Sequence, residues 1–548
     1  MIFRAGSPCA FILEEPFLDR SPTESLEPES AGALDIGERT RLMLHGIGVN
    51  LKLIVAAVLG VLKVPIMLRG LGAETYGLWI IAMSLPGIVG AVDFGLGISV
   101  VLLVAASRDP EAKQKTARFI SSAKNLNMLM GLFGGAVICL IGILGGRQLH
   151  LSPANVRLIP AVFGLVGLSS LLDRVGNFEL GVLTGKRRFD IISVLGVAAA
   201  VLDFVGMVGL MMAHRGLVAV ATWNAIVVAG STYAAYAFAN RLEPLYRMRW
   251  GPIHWAAIRP HIPYGLSTQV AGGVHGYLWR VPPLMIGWLL GSAAVVPYHI
   301  GRRIPMLISM LYMRASSVYI PAVSEHARED RSAQRELLEA GTRWIVIWTL
   351  PLCLGLLILA PGVLHVWIGN FPPATVSVLR LLTVAVFAEG VAASSIQLLW
   401  ALRAMRAILQ VAIGVAVASL ALTWALLPRI GVVGAGWGVG IPLVLGAVAL
   451  LHIAARTCGA HFRDPLTTAF RGLALPTMIC AALSFAISHY AGPGAAGVIS
   501  ASLGGGCGYL VGFWYLGRPR HEERMLVRKG LGGPFIVLRG LYTRWKKG

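Results

Sequence analysis

The sequence predicts an all-α polytopic membrane protein with about fourteen transmembrane helices. Its 548 residues are 56% hydrophobic and only 13% charged, and the mean hydropathy is +0.72. Fourteen apolar stretches fill the chain between Gly46 and Leu516, each close to the roughly 20 residues that cross a bilayer as a helix. Helices are expected because a lipid-exposed span must satisfy its backbone polar groups internally.

The apolar stretches follow one another with short connections. In chain order they are predicted at residues 46–68, 77–105, 125–146, 157–183, 189–213, 216–240, 264–290, 294–320, 343–368, 376–401, 406–428, 434–455, 473–491 and 495–516.

The basic residues between the stretches alternate sides. Of the 47 Lys and Arg residues, 34 fall in the two termini and in every second connection, and six fall on the opposite side. Because cytoplasmic loops are enriched in Lys and Arg, we expect both termini of this membrane protein to lie in the cytoplasm. The same bias accounts for the net charge of +21, so nucleic acid is not an expected partner.

An internal echo divides the helices into two halves. Residues 71–79 (LGAETYGLW) follow the first stretch, and residues 290–298 (LGSAAVVPY) follow the seventh. Both begin with Leu-Gly and place an aromatic residue seven positions after the glycine. This echo predicts two six-helix bundles of the same orientation plus two C-terminal helices, as in transporters with parallel repeats.

The domain organisation follows from this division. The first residues are acidic and contain several prolines, a composition typical of disorder, and the basic tail is either an interfacial helix or solvated. The predicted segments are a disordered acidic cytoplasmic extension (1–41), an N-terminal six-helix bundle (42–240), a cytoplasmic linker (241–263), a C-terminal six-helix bundle (264–455), two additional helices (456–516) and a basic cytoplasmic tail (517–548).

Several short motifs resemble one transporter family. They are residues 71–79, residues 93–97 (DFGLG), residues 185–190 (GKRRFD), and Tyr298 with Arg303. Over residues 42–516 the chain resembles the polysaccharide-export flippases of the multidrug/oligosaccharidyl-lipid/polysaccharide exporter superfamily. The resemblance implies twelve or fourteen helices in two bundles, and transport of an undecaprenyl-pyrophosphate-linked oligosaccharide to the outer leaflet.

The chain departs from this family at one position. Many relatives carry an acidic residue midway along the seventh span, where this chain has residues 279–282 (WRVP). The resemblance therefore transfers no ion-coupling role to this position.

Ionisable residues within the predicted spans are the candidate functional residues, because each costs about 2.5–3.5 kcal/mol at mid-membrane. Lys52 and Lys63 are eleven residues apart and share one helix face. Arginine binds phosphate oxygens bidentately and lysine acts as a point charge, so a cavity lined by such cations suits a pyrophosphate. The predicted substrate-binding residues are Arg280, Lys63, Lys52, Arg302 and Arg303.

Acidic residues within the spans are candidates for a coupling site. These are Asp203, Glu389 and Asp93. Two alternatives remain open. In the first, Lys52 pairs with Asp93 and Arg174 pairs with Asp203, and these pairs hold helices together. In the second, Lys63 and Arg302 extend outward to the membrane surface.

These patterns favour a flippase that works by alternating access. The alternative is a multidrug or metabolite exporter of the same superfamily, and a membrane-embedded enzyme is disfavoured because no external loop holds a catalytic constellation. No catalytic residue, cofactor or metal site is predicted, since the six cysteines show no metal-binding or disulfide spacing. The expected partners are a lipid-linked oligosaccharide and membrane lipids, and the sequence does not identify a polymerase or glycan-export partner.

Overall fold

A computed structural model of the chain describes residues 36–90, 95–107, 109–247, 251–316, 330–402 and 404–517. The side chains of residues 36–50, 147 and 263–275 lie outside the description, as do residues 1–35 and 518–548. The described backbone contains helices and no strands. Its first helix begins within the stretch predicted as a disordered extension, and most of that stretch and of the basic tail is not described.

Fifteen helices of eight or more residues are labelled here in chain order. They are α1 (Ile36–Val89), α2 (Leu96–Ala106), α3 (Pro110–Gly145), α4 (Ile159–Gly185), α5 (Phe189–Met212), α6 (Leu217–Leu242), α7 (Ile262–Leu290), α8 (Val295–Ser316), α9 (Arg331–Ile368), α10 (Pro373–Ala401), α11 (Met405–Ile430), α12 (Val432–Thr457), α13 (Arg463–Phe470), α14 (Ala474–Ala491) and α15 (Ala495–Tyr515).

Eleven helices of the described chain are long and apolar enough to cross a membrane. The protein is therefore a multi-pass membrane protein, as predicted. The eleven leave out α2, α7, α8 and the short α13, and they count α1 once although it consists of two helices that meet at non-helical Gly72. The number fourteen stays a prediction.

The second predicted span is not one helix. α1 ends at Val89 and α2 begins at Leu96, with residues 91–94 outside the description. Pro86, Gly90 and Gly95 surround this interruption, and Gly95 has a φ of 67°. Glycine and proline have the lowest helix propensities, so the prediction of a continuous helix over residues 77–105 is wrong for a reason that is visible in its composition.

The same helix pairs pack together in both halves. In the N-terminal half α1 packs on α5, α4 packs on α2, α3 and α6, and α5 packs on α6. Adding six to each number gives the pairs of the C-terminal half: α7 on α11, α10 on α8, α9 and α12, and α11 on α12. α14 and α15 form a hairpin that packs on α9. The exact segment boundaries remain predictions.

The two halves share a core at one end only. We call the end with the turns at Gly72 and Gly291 the low-charge end, and the opposite end the basic end. The largest apolar cluster draws residues from both halves near the low-charge end, including Tyr76, Tyr298 and Leu364. The clusters at the basic end each draw on one half with its adjoining segments. Among the described residues, apolar packing thus joins the halves at the low-charge end.

Candidate functional site at the junction of the two halves

The two echoed turns meet at the low-charge end. Gly72 and Gly291 have nearly the same left-handed backbone, with φ of 77° and 90° and ψ of 166° and 163°. Beyond them, Gly77 lies so close to the Ser292 carbonyl that a Cβ there would overlap it. The Ser292 amide donates to the Leu149 carbonyl at 3.2 Å. The motif at residues 71–79 therefore closes the junction between the halves.

Glu74 anchors the first of these turns. Its carboxylate accepts a hydrogen bond from the Ser152 amide at 2.5 Å, and the neighbouring Thr75 hydroxyl lies 3.1 Å from Asn155 Oδ1. The Ser152 amide, and then Asn155, lower the pKa of Glu74 from its usual 4.5, because hydrogen bonds to a carboxylate favour the charged form. The turn at Gly72 within α1 is therefore fixed to the loop before α4.

Each of the last four carbonyls of α1 accepts a hydrogen bond. A helix leaves its last four carbonyls without intrahelical partners, here those of residues 86–89. In order, they accept from the Gly90 amide at 2.7 Å, Arg280 Nη1 at 2.8 Å, the Tyr277 hydroxyl at 3.0 Å and Arg174 Nη2 at 2.9 Å. Positive charge also suits the negative end of the helix dipole. The cation that the sequence left without a partner, Arg280, thus bonds to a neutral backbone group.

Arg302 compensates for a proline. Pro283 lacks the N–H that would bond to the carbonyl four residues earlier, which is that of Trp279. Arg302 Nη1 donates to this carbonyl, and its guanidinium lies 5.9 Å from the ring centroid of Tyr298. Arg302 therefore does not extend to the membrane surface, and that alternative is wrong.

Two more prolines show the same arrangement. The carbonyl four residues before Pro65 accepts from Trp367 Nε1 at 3.1 Å, and the carbonyl four residues before Pro361 accepts from Arg380 Nε at 3.0 Å. The first bond joins the two halves, whereas the second lies within the C-terminal half. Proline bends in these spans are thus stabilised by donors from neighbouring helices, as expected where water is absent.

Arg303 lies against Gly60 of α1. A Cβ at Gly60 would overlap the Arg303 guanidinium, and the buried Nε of Arg303 has no hydrogen-bond partner among the described residues. Arg302 lies within electrostatic range of both Arg303 and Arg280. None of these three arginines pairs with a carboxylate of the described chain.

Lys63 is paired. Its ammonium contacts the Asp203 carboxylate, and Asn224 Nδ2 donates to the other Asp203 oxygen at 3.4 Å. The side chains are 23% and 14% exposed. The predicted pairing of Asp203 with Arg174 is therefore wrong, since Arg174 bonds to the end of α1. The alternative that Lys63 extends outward is wrong as well.

The remaining candidates lie nearer the basic end. The stem of Lys52 packs against Gly196 of α5, and its charge acts on Asp173 of α4. Glu389 accepts a hydrogen bond from the buried Tyr312 hydroxyl at 3.0 Å. Asp93 lies outside the described residues, so its predicted pairing with Lys52 stays a prediction.

The structure therefore brings Arg280, Arg302 and Arg303 together and sets Lys63 beside Asp203. Lys52 and Glu389 lie apart from this group. Reasoning from the sequence missed the glycines at positions 60 and 87 and the hydroxyl of Tyr277, because no pattern marks an uncharged contact. It also missed a buried ion pair of Lys124 and Glu179 at 2.7 Å, since Lys124 was counted with the basic connection before the predicted span 125–146.

Comparison with known protein families agrees with this picture. A family model described as "Polysaccharide biosynthesis protein" matches residues 66–371, more than half of the chain. A second, described as "Lipid II flippase MurJ", matches residues 289–502. A curated protein of Shigella flexneri named "Putative O-antigen transporter" is 27% identical over 126 residues. That alignment covers 23% of this chain and 30% of the relative's length.

Solved transporters share the fold. The Lipid II flippase MurJ in an inward closed conformation aligns with a TM-score of 0.69 over 86% of this chain and 98% of its own, at 14% identity. An inward-facing multidrug resistance transporter of the MATE family, from the MOP superfamily, aligns at 0.59 over 74% of this chain and 97% of its own, also at 14% identity. The MATE transporter DinF-BH with R6G aligns at 0.56, covering 80% and 98%, at 16% identity. At these identities the likeness establishes the fold alone.

Proposed function

The chain belongs to the polysaccharide biosynthesis protein family, and we propose that it is a flippase for a lipid-linked oligosaccharide. The cargo is an undecaprenyl-pyrophosphate-linked repeat unit of O-antigen, capsule or exopolysaccharide. It moves across the bacterial inner membrane by alternating access, with both termini of the protein in the cytoplasm. The family match confirms the resemblance found in the sequence, and the matched relatives are transporters and not enzymes.

One observation carries the proposal. Arg280 and Arg302 donate to neutral backbone carbonyls, and Arg303 lies against a glycine. The carbonyls solvate Arg280 and Arg302 without neutralising them, and Arg303 pairs with no carboxylate of the described chain, so three positive charges are held together at the junction. Charge in a low-dielectric interior attracts an opposite charge far more strongly than in water, and a pyrophosphate supplies it with bidentate acceptors.

The other candidate residues have supporting roles in this proposal. Lys63 and Lys52 lie on one face of α1 and extend the positive surface toward the basic end. Lys63 reaches an anion only by leaving Asp203, which makes that carboxylate and Glu389 the candidates for coupling transport to a cation gradient. Intramembrane acids are typical of such coupling sites.

The fold is also that of multidrug transporters, which keeps an exporter as the second candidate. Three unneutralised arginines disfavour a cationic drug at this junction, because like charges in a low-dielectric setting repel. The two candidates predict different cellular phenotypes.

Deletion of the gene tests the proposal. We expect a prenyl-linked saccharide to accumulate on the cytoplasmic leaflet, and wild-type protein to clear it. Arg280→Gln should not clear it, whereas the control Arg380→Gln should, because Arg380 makes the same kind of bond within one half. Unchanged lipid-linked pools together with altered drug sensitivity would reject the flippase in favour of the exporter.

A further inference from the structure

Two arginines of the C-terminal half are seated on two glycines of the N-terminal half. Arg280 of α7 crosses Gly87, and Arg303 of α8 crosses Gly60. Both glycines belong to α1, one on each side of its non-helical residue. In either place a methyl group would occupy the volume of the guanidinium. Both contacts in this geometry therefore need a glycine at the position that the arginine crosses.

The contact between each arginine and its glycine is of the kind that an anion displaces. The Arg280 guanidinium donates to the Gly87 carbonyl at 2.8 Å and its side chain is exposed. Arg303 keeps an unsatisfied Nε. A carbonyl is a neutral acceptor, whereas phosphate oxygens form charge-assisted, bidentate hydrogen bonds about twice as strong. An anion that reaches the two guanidinium groups therefore competes well with their contacts to Gly87 and Gly60.

We propose that Arg280 on Gly87 and Arg303 on Gly60 form an anion-operated latch between the two halves. With no anion bound, the arginines hold α7 and α8 against α1 and keep the low-charge end closed. A pyrophosphate head group draws both arginines off the glycines and releases that end. This inference rests on the proposed function and adds the trigger that couples cargo binding to opening.

The latch obeys the thermodynamics of a ligand-driven change. A ligand shifts a conformational equilibrium only by its difference in affinity between the two states. Here the difference arises because the arginines are engaged with α1 in the closed state and free to bind phosphate in the released state. A neutral ligand gains nothing from that release, so opening responds to anions.

Two substitutions test the latch without removing any charge. Gly87→Ala and Gly60→Ala each displace an arginine while alanine favours the helix more than glycine does, so loss of the fold is not expected. Gly276→Ala is the matched control, because a Cβ there meets Arg280 Nη1 at an ordinary 3.6 Å. Arg380→Gln is a second control, since its backbone bond stays within the C-terminal half.

A cysteine at position 292 reports on closure. Ser292 is only 1% exposed at the closed end, so Ser292→Cys, in full-length protein lacking its six native cysteines, should react slowly with a soluble maleimide. The probe ligand is inorganic pyrophosphate, and the protein is reconstituted in lipid nanodiscs. We expect pyrophosphate to raise the rate about tenfold, the effect of losing roughly one charge-assisted hydrogen bond.

The variants separate the latch from general loosening. In the Gly87→Ala and Gly60→Ala variants, the cysteine at position 292 should react with the maleimide about tenfold faster without pyrophosphate. Pyrophosphate should raise this rate little further, and the two control variants should react at the rate of the parent protein. The double variant Gly87→Ala with Arg280→Gln should label no faster than either single variant, since the effects of substitutions at residues in contact are not additive.

Two results would overturn the latch: a parent protein that does not respond to pyrophosphate, or glycine variants as slow as the parent. Failure of the proposed cargo is distinguishable from both. In that case pyrophosphate still opens the reporter site, while cells that lack the gene accumulate no lipid-linked saccharide.

Discussion

Replacing Arg302 by leucine should destabilise the protein through a single carbonyl. Pro283 removes the N–H that would bond to the Trp279 carbonyl, and Arg302 supplies the missing donor. In Arg302→Leu this carbonyl loses the hydrogen bond that Arg302 donates. The loss should largely disappear when Pro283→Ala is added, because alanine restores the helical N–H at the correct distance along the chain.

The expected loss of stability in Arg302→Leu follows from the type of hydrogen bond that is removed. A hydrogen bond from a charged donor contributes about 1.5–3 kcal/mol. Arg302→Leu should therefore lower the free energy of unfolding by about 2 kcal/mol, roughly a thirtyfold change in the unfolding equilibrium. In the Pro283→Ala background the same change should cost under about 0.5 kcal/mol, within the error of additivity.

Steric trapping of the full-length protein in nanodiscs measures this free energy at equilibrium. The four proteins of the cycle are compared, and Arg380→Leu with Pro361→Ala forms a second, matched cycle around another proline. An Arg302→Leu cost that is equal in both backgrounds would refute the reasoning, since Arg302 would then act through something other than the carbonyl freed by the proline.

Three further predictions concern the ion pair, the closed end and the anchored turn. Lys63→Met should destabilise the protein by about 3–5 kcal/mol because it leaves Asp203 partly buried and uncompensated; Lys63→Met with Asp203→Leu should recover most of the loss in the same trapping assay, and no recovery would argue against the pair. Gly77→Leu should prevent closure at the low-charge end and raise labelling of a cysteine at the facing turn about tenfold, for an overpacking cost of 1–3 kcal/mol, whereas Gly164→Leu, with open space around it, should not. Glu74 has a lowered pKa, so its stabilising effect over Glu74→Gln should be complete above pH 4.5 and decline as the pH falls below 4.5; acid unfolding curves that differ by the same amount at every pH would contradict this.

The described contacts explain how a membrane interior holds several cations that have no acidic partner among the described residues. Arg280, Arg302 and Arg380 each donate to a backbone carbonyl that a helix end or a proline has freed. Each bond satisfies two groups that are costly to leave unpaired in lipid. Positive charge is thereby fixed in place and remains available to an anion.

Much of the fold was predictable because it depends on local composition. Apolar runs of about 20 residues specify spanning helices, and the echo at residues 71–79 and 290–298 predicted two halves whose helix pairs recur in the structure. The interruption between α1 and α2 was missed because the run is predominantly apolar, and hydropathy does not register the glycines and proline that end a helix.

The candidate site was predictable only in part. The cations Arg280, Arg302 and Arg303 stand out within apolar spans, and the structure brings them together. Their partners do not stand out: Gly87 and Gly60 are ordinary helix residues in the sequence, and no side chain marks the carbonyl that accepts from Arg280. The pairing of Asp203 was assigned to the wrong cation, because register between helices is set by packing across the whole half.

The sequence by itself determined which backbone groups would need a partner. Pro65, Pro283 and Pro361 free carbonyls at fixed positions, since the helical hydrogen bond always reaches back four residues. Only the tertiary structure decided which donor satisfies each one. The donors come from other helices, 306 residues away for Trp367 and the first carbonyl, and 23 residues away for Arg302 and Arg380 and the other two. Such pairs depend on how helices are oriented in three dimensions, which local composition does not encode.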